Sequence, residues 1–88
     1  MPLFRHTWRS ERQPDGKLLA MVHVSQDDRK SIKKALMPIH LHFEGNTIPQ
    51  YRGVTEAEVD IKFVTPEAPK DVTLDDDHVL PADIVRAG

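Results

Sequence analysis

Two histidines and a carboxylate alternate in the segment IHLHFE, residues 39–44. Side chains alternate across a strand, so an extended reading puts His40, His42 and Glu44 on one face and Ile39, Leu41 and Phe43 on the other. Residues two apart on a strand have Cα atoms roughly 6–7 Å apart, close enough for two imidazoles to share an ion. Zinc or iron needs at least a third protein ligand. Glu44 cannot serve beside His40, because roughly 13 Å of strand separates them. The third ligand must come from a neighbouring segment, with His23, Glu58 and Asp60 as candidates and His23 the best placed. The metal reading is therefore His40, His42 and His23. The alternative is a polar sheet face with no ion.

Other residues with chemical capacity have ordinary explanations beside the functional ones. His6 sits between Phe4 and Trp8 on an apolar face, as a buried acid/base group or as a core-edge histidine bonded to backbone. Arg5, Arg9 and His23 form a basic patch that suits an anion or a set of cross-strand charge pairs. DDDH, residues 75–78, offers hard oxygen donors but lacks the glycine and spaced ligands of a calcium loop, so an acidic turn is expected. No phosphate-cradling glycine pattern, nucleophile elbow or cysteine is present. Enzyme activity is therefore not the leading expectation, the alternative being a metal-binding small protein or enzyme that uses His40, His42 and His23, and no cofactor is implied.

The elements that must position these residues begin with a hairpin. Residues 4–13 and 17–25 flank Pro14-Asp15-Gly16. Proline pre-sets φ for a turn, and glycine suits the left-handed position of a bulged three-residue loop. Opposing Gln13 to Lys17 makes paired residue numbers sum to 30. One face then collects Phe4, His6, Trp8, Leu18, Ala20, Val22 and Val24. The other collects Arg5, Thr7, Arg9, Glu11, Leu19, Met21 and His23. A one-residue slip would mix the sets.

Ser25 and Asp28 resemble a capping box, Lys33 and Lys34 suit a helix end, and Pro38 suits a stop. These signals predict a short helix over 26–37 with a narrow stripe of Ile32, Ala35 and Leu36. After 39–44 comes a turn at Gly45-Asn46, an extended piece whose Pro49 indicates an edge, and an alternating strand at 57–64. Residues 65–71 read as a proline-bearing connector. The remaining tail reads as a short strand, an acidic turn and a helical turn near Pro81. The expected class is α+β: β-β-α-β-β plus tail, with four to five mostly antiparallel strands and one helix on one face. Residues 1–64 would form the compact unit, with 65–88 packed on it or on a neighbouring subunit.

Composition bounds the rest. An 88-residue chain suits one small domain. With no cysteine, its marginal core cannot be stapled by disulfides, and self-association is one of the remaining supports. The lack of cysteine and of a leader-like start suggests the cytoplasm. No apolar run approaches the roughly 20 residues of a membrane span. Residues 1–44 carry eight Lys/Arg and five Asp/Glu, whereas 45–88 carry four and nine. A near-neutral total speaks against nucleic acid, for which Arg5, Arg9, Arg12, Lys30, Lys33 and Lys34 would be the contacts. The leading expectation is a non-catalytic protein-interaction or regulatory module, a homodimer. It meets its partner through Leu19 and Met21 on the polar sheet face, rimmed by Arg5, Arg9 and His23. Two large apolar residues on a charged face need a cover.

Overall fold

In the computed structural model, Gly16 holds φ at 87° and the Gln13 N–H reaches the Lys17 carbonyl at 2.7 Å. The bulged turn thus sets the expected register between β1 (Leu3–Arg12) and β2 (Leu18–Gln26). His6 faces Val24, and Trp8 faces Val22. The structure describes residues 2–28 and 30–87.

Five further strands follow: β3 (Ala35–Phe43), β4 (Asn46–Val54), β5 (Glu58–Thr65), β6 (Asp71–Leu74) and β7 (Asp83–Arg86). They make a four-stranded sheet, β5-β2-β1-β7, and a three-stranded sheet, β4-β3-β6. Neighbours are antiparallel except β7, which runs parallel to β1. The two sheets share one core. Phe4, Ala20, Val22, Val24, Ile61 and Phe63 come from the first sheet, and Met37, Ile39, Leu41, Phe43, Val54, Val72 and Leu74 from the second. Each sheet covers the other's apolar face, so neither needs a helix.

The α+β expectation is thereby corrected to all-β: among the described residues there is no helix, and the one expected over 26–37 is absent. Gln26 ends β2 instead, and its buried side-chain amide grips the far side of the connection. Its Nε2 donates to the Lys33 carbonyl at 2.7 Å, and its Oε1 accepts the Lys33 N–H at 2.9 Å. Asp28 satisfies the N–H groups of Lys30 and Ser31 at 3.0 and 3.2 Å. This is the local bonding a cap would supply, used here for a turn. From Ala35 onward the alternation Ala35, Met37, Ile39, Leu41, Phe43 continues through Pro38 and buries five side chains to varying depth. A narrow three-residue helical stripe cannot compete with that period-two burial. Ile39, Leu41 and Phe43 are core residues as expected, but they lie under the four-stranded sheet.

Pro38 is tolerated in a central strand because of its phase. Its carbonyl accepts the Asp75 N–H at 2.9 Å, and it has no N–H to return. The Asp75 carbonyl instead takes the His78 N–H at 2.9 Å. The tail also differs from expectation: the turn near Pro81 leads into β7, and both tail strands belong to the sandwich. At one side of the sandwich, Arg52 lies 4.8 Å over the Phe63 ring and links β4 to β5. At the other, Arg86 of β7 reaches Asp71 of β6 at 2.8 Å. Among the described residues no helix is long and apolar enough to cross a membrane.

Candidate functional site

The strand registers lay out the outer face of the four-stranded sheet in rows. Glu11, Leu19 and Val64 form one row, Arg9, Met21 and Lys62 the next, and Thr7, His23 and Asp60 a third. Arg5, Ser25 and Glu58 follow, with Val85 beside Arg5. Leu19, Met21 and Val64 are thus contiguous, near the hairpin end. Leu19 and Met21 are half-buried, and Val64 is 68% exposed. The tail does not cover them, because β7 lies beyond β1, away from β2. A shallow hollow of about 410 Å³ lies between Arg9, Met21, His23, Asp60 and Lys62.

Charged groups around this strip are held in place. His23 Nδ1 lies 2.7 Å from Asp60 Oδ1, and its Nε2 lies 3.3 Å from Glu58 Oε1. The Asp60 hydrogen bond, supported by Glu58, raises the His23 pKa from its ordinary value despite some burial. Arg5 forms a fork to Asp27, Nε to Oδ1 at 2.9 Å and Nη2 to Oδ2 at 3.1 Å. That bond lowers the Asp27 pKa and raises that of Arg5. Arg9 reaches Glu11 at 3.6 Å and the Met21 sulfur at 3.8 Å. Arg12 donates to the Gly16 carbonyl. Arg5, Arg9 and His23 therefore share the expected face with Leu19 and Met21, but each is already engaged with a neighbour. No open basic track runs along them.

The structure separates the histidines of the metal reading. His23 faces outward from one sheet, and His40 and His42 face outward from the other, with the core between. Among the described residues no three histidines or carboxylates are placed to hold a metal ion. Glu44 pairs with Lys70 at 2.7 Å. The group that does approach His40 and His42 is Asp76, whose Oδ2 is 3.6 Å from His40 Nδ1 and from His42 Nε2. Thr73 inserts between them. Its Oγ1 is 2.6 Å from His42 Nε2 and donates to Asp76 Oδ2 at 2.7 Å. A hydroxyl that gives its proton to the carboxylate accepts from the histidine, the reverse of the path that activates a nucleophile. His42 Nδ1 meets Thr47 Oγ1 at 3.1 Å.

Asp75 and Asp76 of the acidic turn had no sequence signal beyond their type. Asp75 is buried at φ 50°, and its carboxylate accepts the N–H groups of Val79 and Leu80 at 2.9 and 3.1 Å. DDDH is therefore a hydrogen-bonded turn built on one inward aspartate. His6 is 4% exposed, and neither ring nitrogen makes a hydrogen bond of good geometry. Burial lowers its pKa, with Arg86 adding to the effect and the backbones of Val72 and Val85 and the Asp71 carboxylate opposing it. His6 belongs to the core edge, as expected, but without the firm backbone bonds expected of it.

No protein-family model matches the chain, and no curated protein or solved structure matches it either.

Proposed function

We propose that this chain is a small non-catalytic protein-interaction module that self-associates and meets its partner through the outer face of its four-stranded sheet. The observation that carries the reading is the contiguous strip of Leu19, Met21 and Val64 on the outer face of the four-stranded sheet, with the shared core on its opposite face. An apolar strip ringed by fixed charges suits protein recognition: the strip supplies desolvation, and the charges set orientation and encounter rate. The non-catalytic part of the reading is supported by the direction of the Thr73 hydroxyl, which donates to Asp76 rather than to His42.

A photoreactive amino acid tests the reading when placed at Met21 or, as a control, at Thr47 on the other sheet's outer face. Irradiation in cells is expected to give discrete adducts from position 21 that disappear with Leu19→Asp, and none from position 47. Equal labelling from both positions, or none from position 21, would overturn it.

A further inference from the structure

The four sheet edges are not equivalent. β6 and β7 have four residues each, too short to template a strand, and shortness is a common edge defence. β4 is long but carries Pro49. The β3–β4 loop has two residues, closed by the Phe43–Asn46 pair. That loop makes the even-numbered residues of β4 bond to β3 and turns the odd-numbered ones, including Pro49, to the open side. The proline therefore blocks that edge.

β5 is different. It has eight residues, EVDIKFVT, and no proline. Its phase follows from β2: the Gln26 N–H donates to the Ala57 carbonyl at 2.8 Å. Odd-numbered residues of β5 therefore bond to β2, and Glu58, Asp60, Lys62 and Val64 turn their backbone groups to the open edge.

We propose that two copies of this chain pair antiparallel along β5, with a two-fold axis at Ile61, to form one continuous eight-stranded sheet. This rests on the self-association part of the reading above. Backbone phase, which the pleat shares, and charge together select the register. Backbone phase requires even-numbered residues to oppose even-numbered ones. Placing Asp60 opposite the partner copy's Lys62, and Lys62 opposite its Asp60, satisfies that phase and joins opposite charges twice. Moving the pairing by two residues either way sets Asp60 against Asp60 or Lys62 against Lys62, and like charges directly opposed are destabilising. The chosen register also keeps Ile61, Val59 and Phe63 on the core side in both copies, as the pleat demands. An edge lysine ordinarily discourages pairing. Here it opposes itself in one phase-matched neighbouring register and meets Asp60 in this one.

Light scattering coupled to size-exclusion chromatography tests the pairing, with the full chain loaded from about 10 µM to about 1 mM. The wild type is expected to move toward twice its 10.0 kDa mass as concentration rises. Asp60→Lys and Lys62→Asp, each confirmed folded by circular dichroism, should remain monomeric alone and form a dimer when mixed. The double exchange should dimerise by itself. A wild-type monomer at every concentration overturns self-association altogether. A dimer indifferent to these charge reversals overturns the β5 edge while leaving self-association by another surface. Leu19→Asp is expected to leave the dimer intact, which separates this result from a failure of the outer face.

Discussion

Gln26 and Lys33 face each other across the β2–β3 connection as two strand residues would, with a side-chain amide in place of one backbone. The pair exchanges bonds of 2.7 and 2.9 Å, and Gln26 is 4% exposed. Leaving buried groups unpaired costs about 1–3 kcal/mol. Gln26→Ala is therefore expected to destabilise the fold by about that amount, read from the midpoint of urea unfolding. An unchanged midpoint would mean that the connection is held by something else.

Leu19 and Met21 should matter for association with a partner and little for folding. Both are half-buried on an open face. Leu19→Asp or Met21→Asp is expected to shift unfolding by no more than about 0.5 kcal/mol, the usual range for surface changes. Photoadduct formation from position 21 should be lost with Leu19→Asp. A loss of several kcal/mol would instead place these residues in a covered core.

His6 and His23 should bend stability against pH in opposite senses. The folded-state pKa of His6 is lowered, so the unfolded chain binds the extra proton first. Its stabilising contribution is present above the unfolded value of about 6.5 and is lost as pH falls through that value toward the lower folded one. The folded-state pKa of His23 is raised, so its contribution is present below about 6.5 and is lost as pH rises through the folded value. Unfolding midpoints measured across this range in His6→Leu should show a weakened acid-side loss. Asp60→Asn should lower the His23 titration midpoint in a proton NMR series. Identical acid limbs in wild type and His6→Leu would remove His6 as a cause.

Asp75 holds the turn between β6 and β7 from inside. Its carboxylate takes two backbone N–H groups, and its own φ is 50°. Asp75→Ala removes both acceptors and places a side chain without polar compensation in the left-handed region. A loss of about 2–4 kcal/mol is expected, and Asp75→Asn, which tolerates that conformation and keeps one acceptor, should lose less. Equal losses in the two variants would contradict this role.

How far the chain could be read depended on whether its signals were local. Pro14-Asp15-Gly16 specifies a turn whose geometry carries along both arms, so the facing of Trp8 to Val22 followed directly. The alternation at Val59, Ile61 and Phe63 was equally clear. Residues 26–37 misled because Asp28 bonds nearby N–H groups in a turn as readily as in a cap. The decisive contact there is a glutamine side chain reaching seven residues ahead. Pro38 resembled a helix stop because only the pairing of β3 with β6 shows that its missing N–H is tolerated. β7 is a four-residue parallel strand whose partner lies at the other end of the chain, and no short-range pattern marks it. At the candidate face, Leu19 and Met21 were readable from hairpin register alone, whereas Val64 joined them only through β2–β5 pairing. Asp76 reaches His40 and His42 through the β6 crossover, which spacing does not encode.

Amide hydrogen exchange, resolved residue by residue, tests self-association through β5 most directly. Asp60 and Lys62 direct their N–H groups to the open edge and have no ladder partner among the described residues of one copy. Tyr51 of β4, likewise turned outward, is the internal comparison. Edge pairing predicts that exchange at Asp60 and Lys62 slows as protein concentration rises, while Tyr51 stays fast. Fast exchange at Asp60 and Lys62 at every concentration would contradict it.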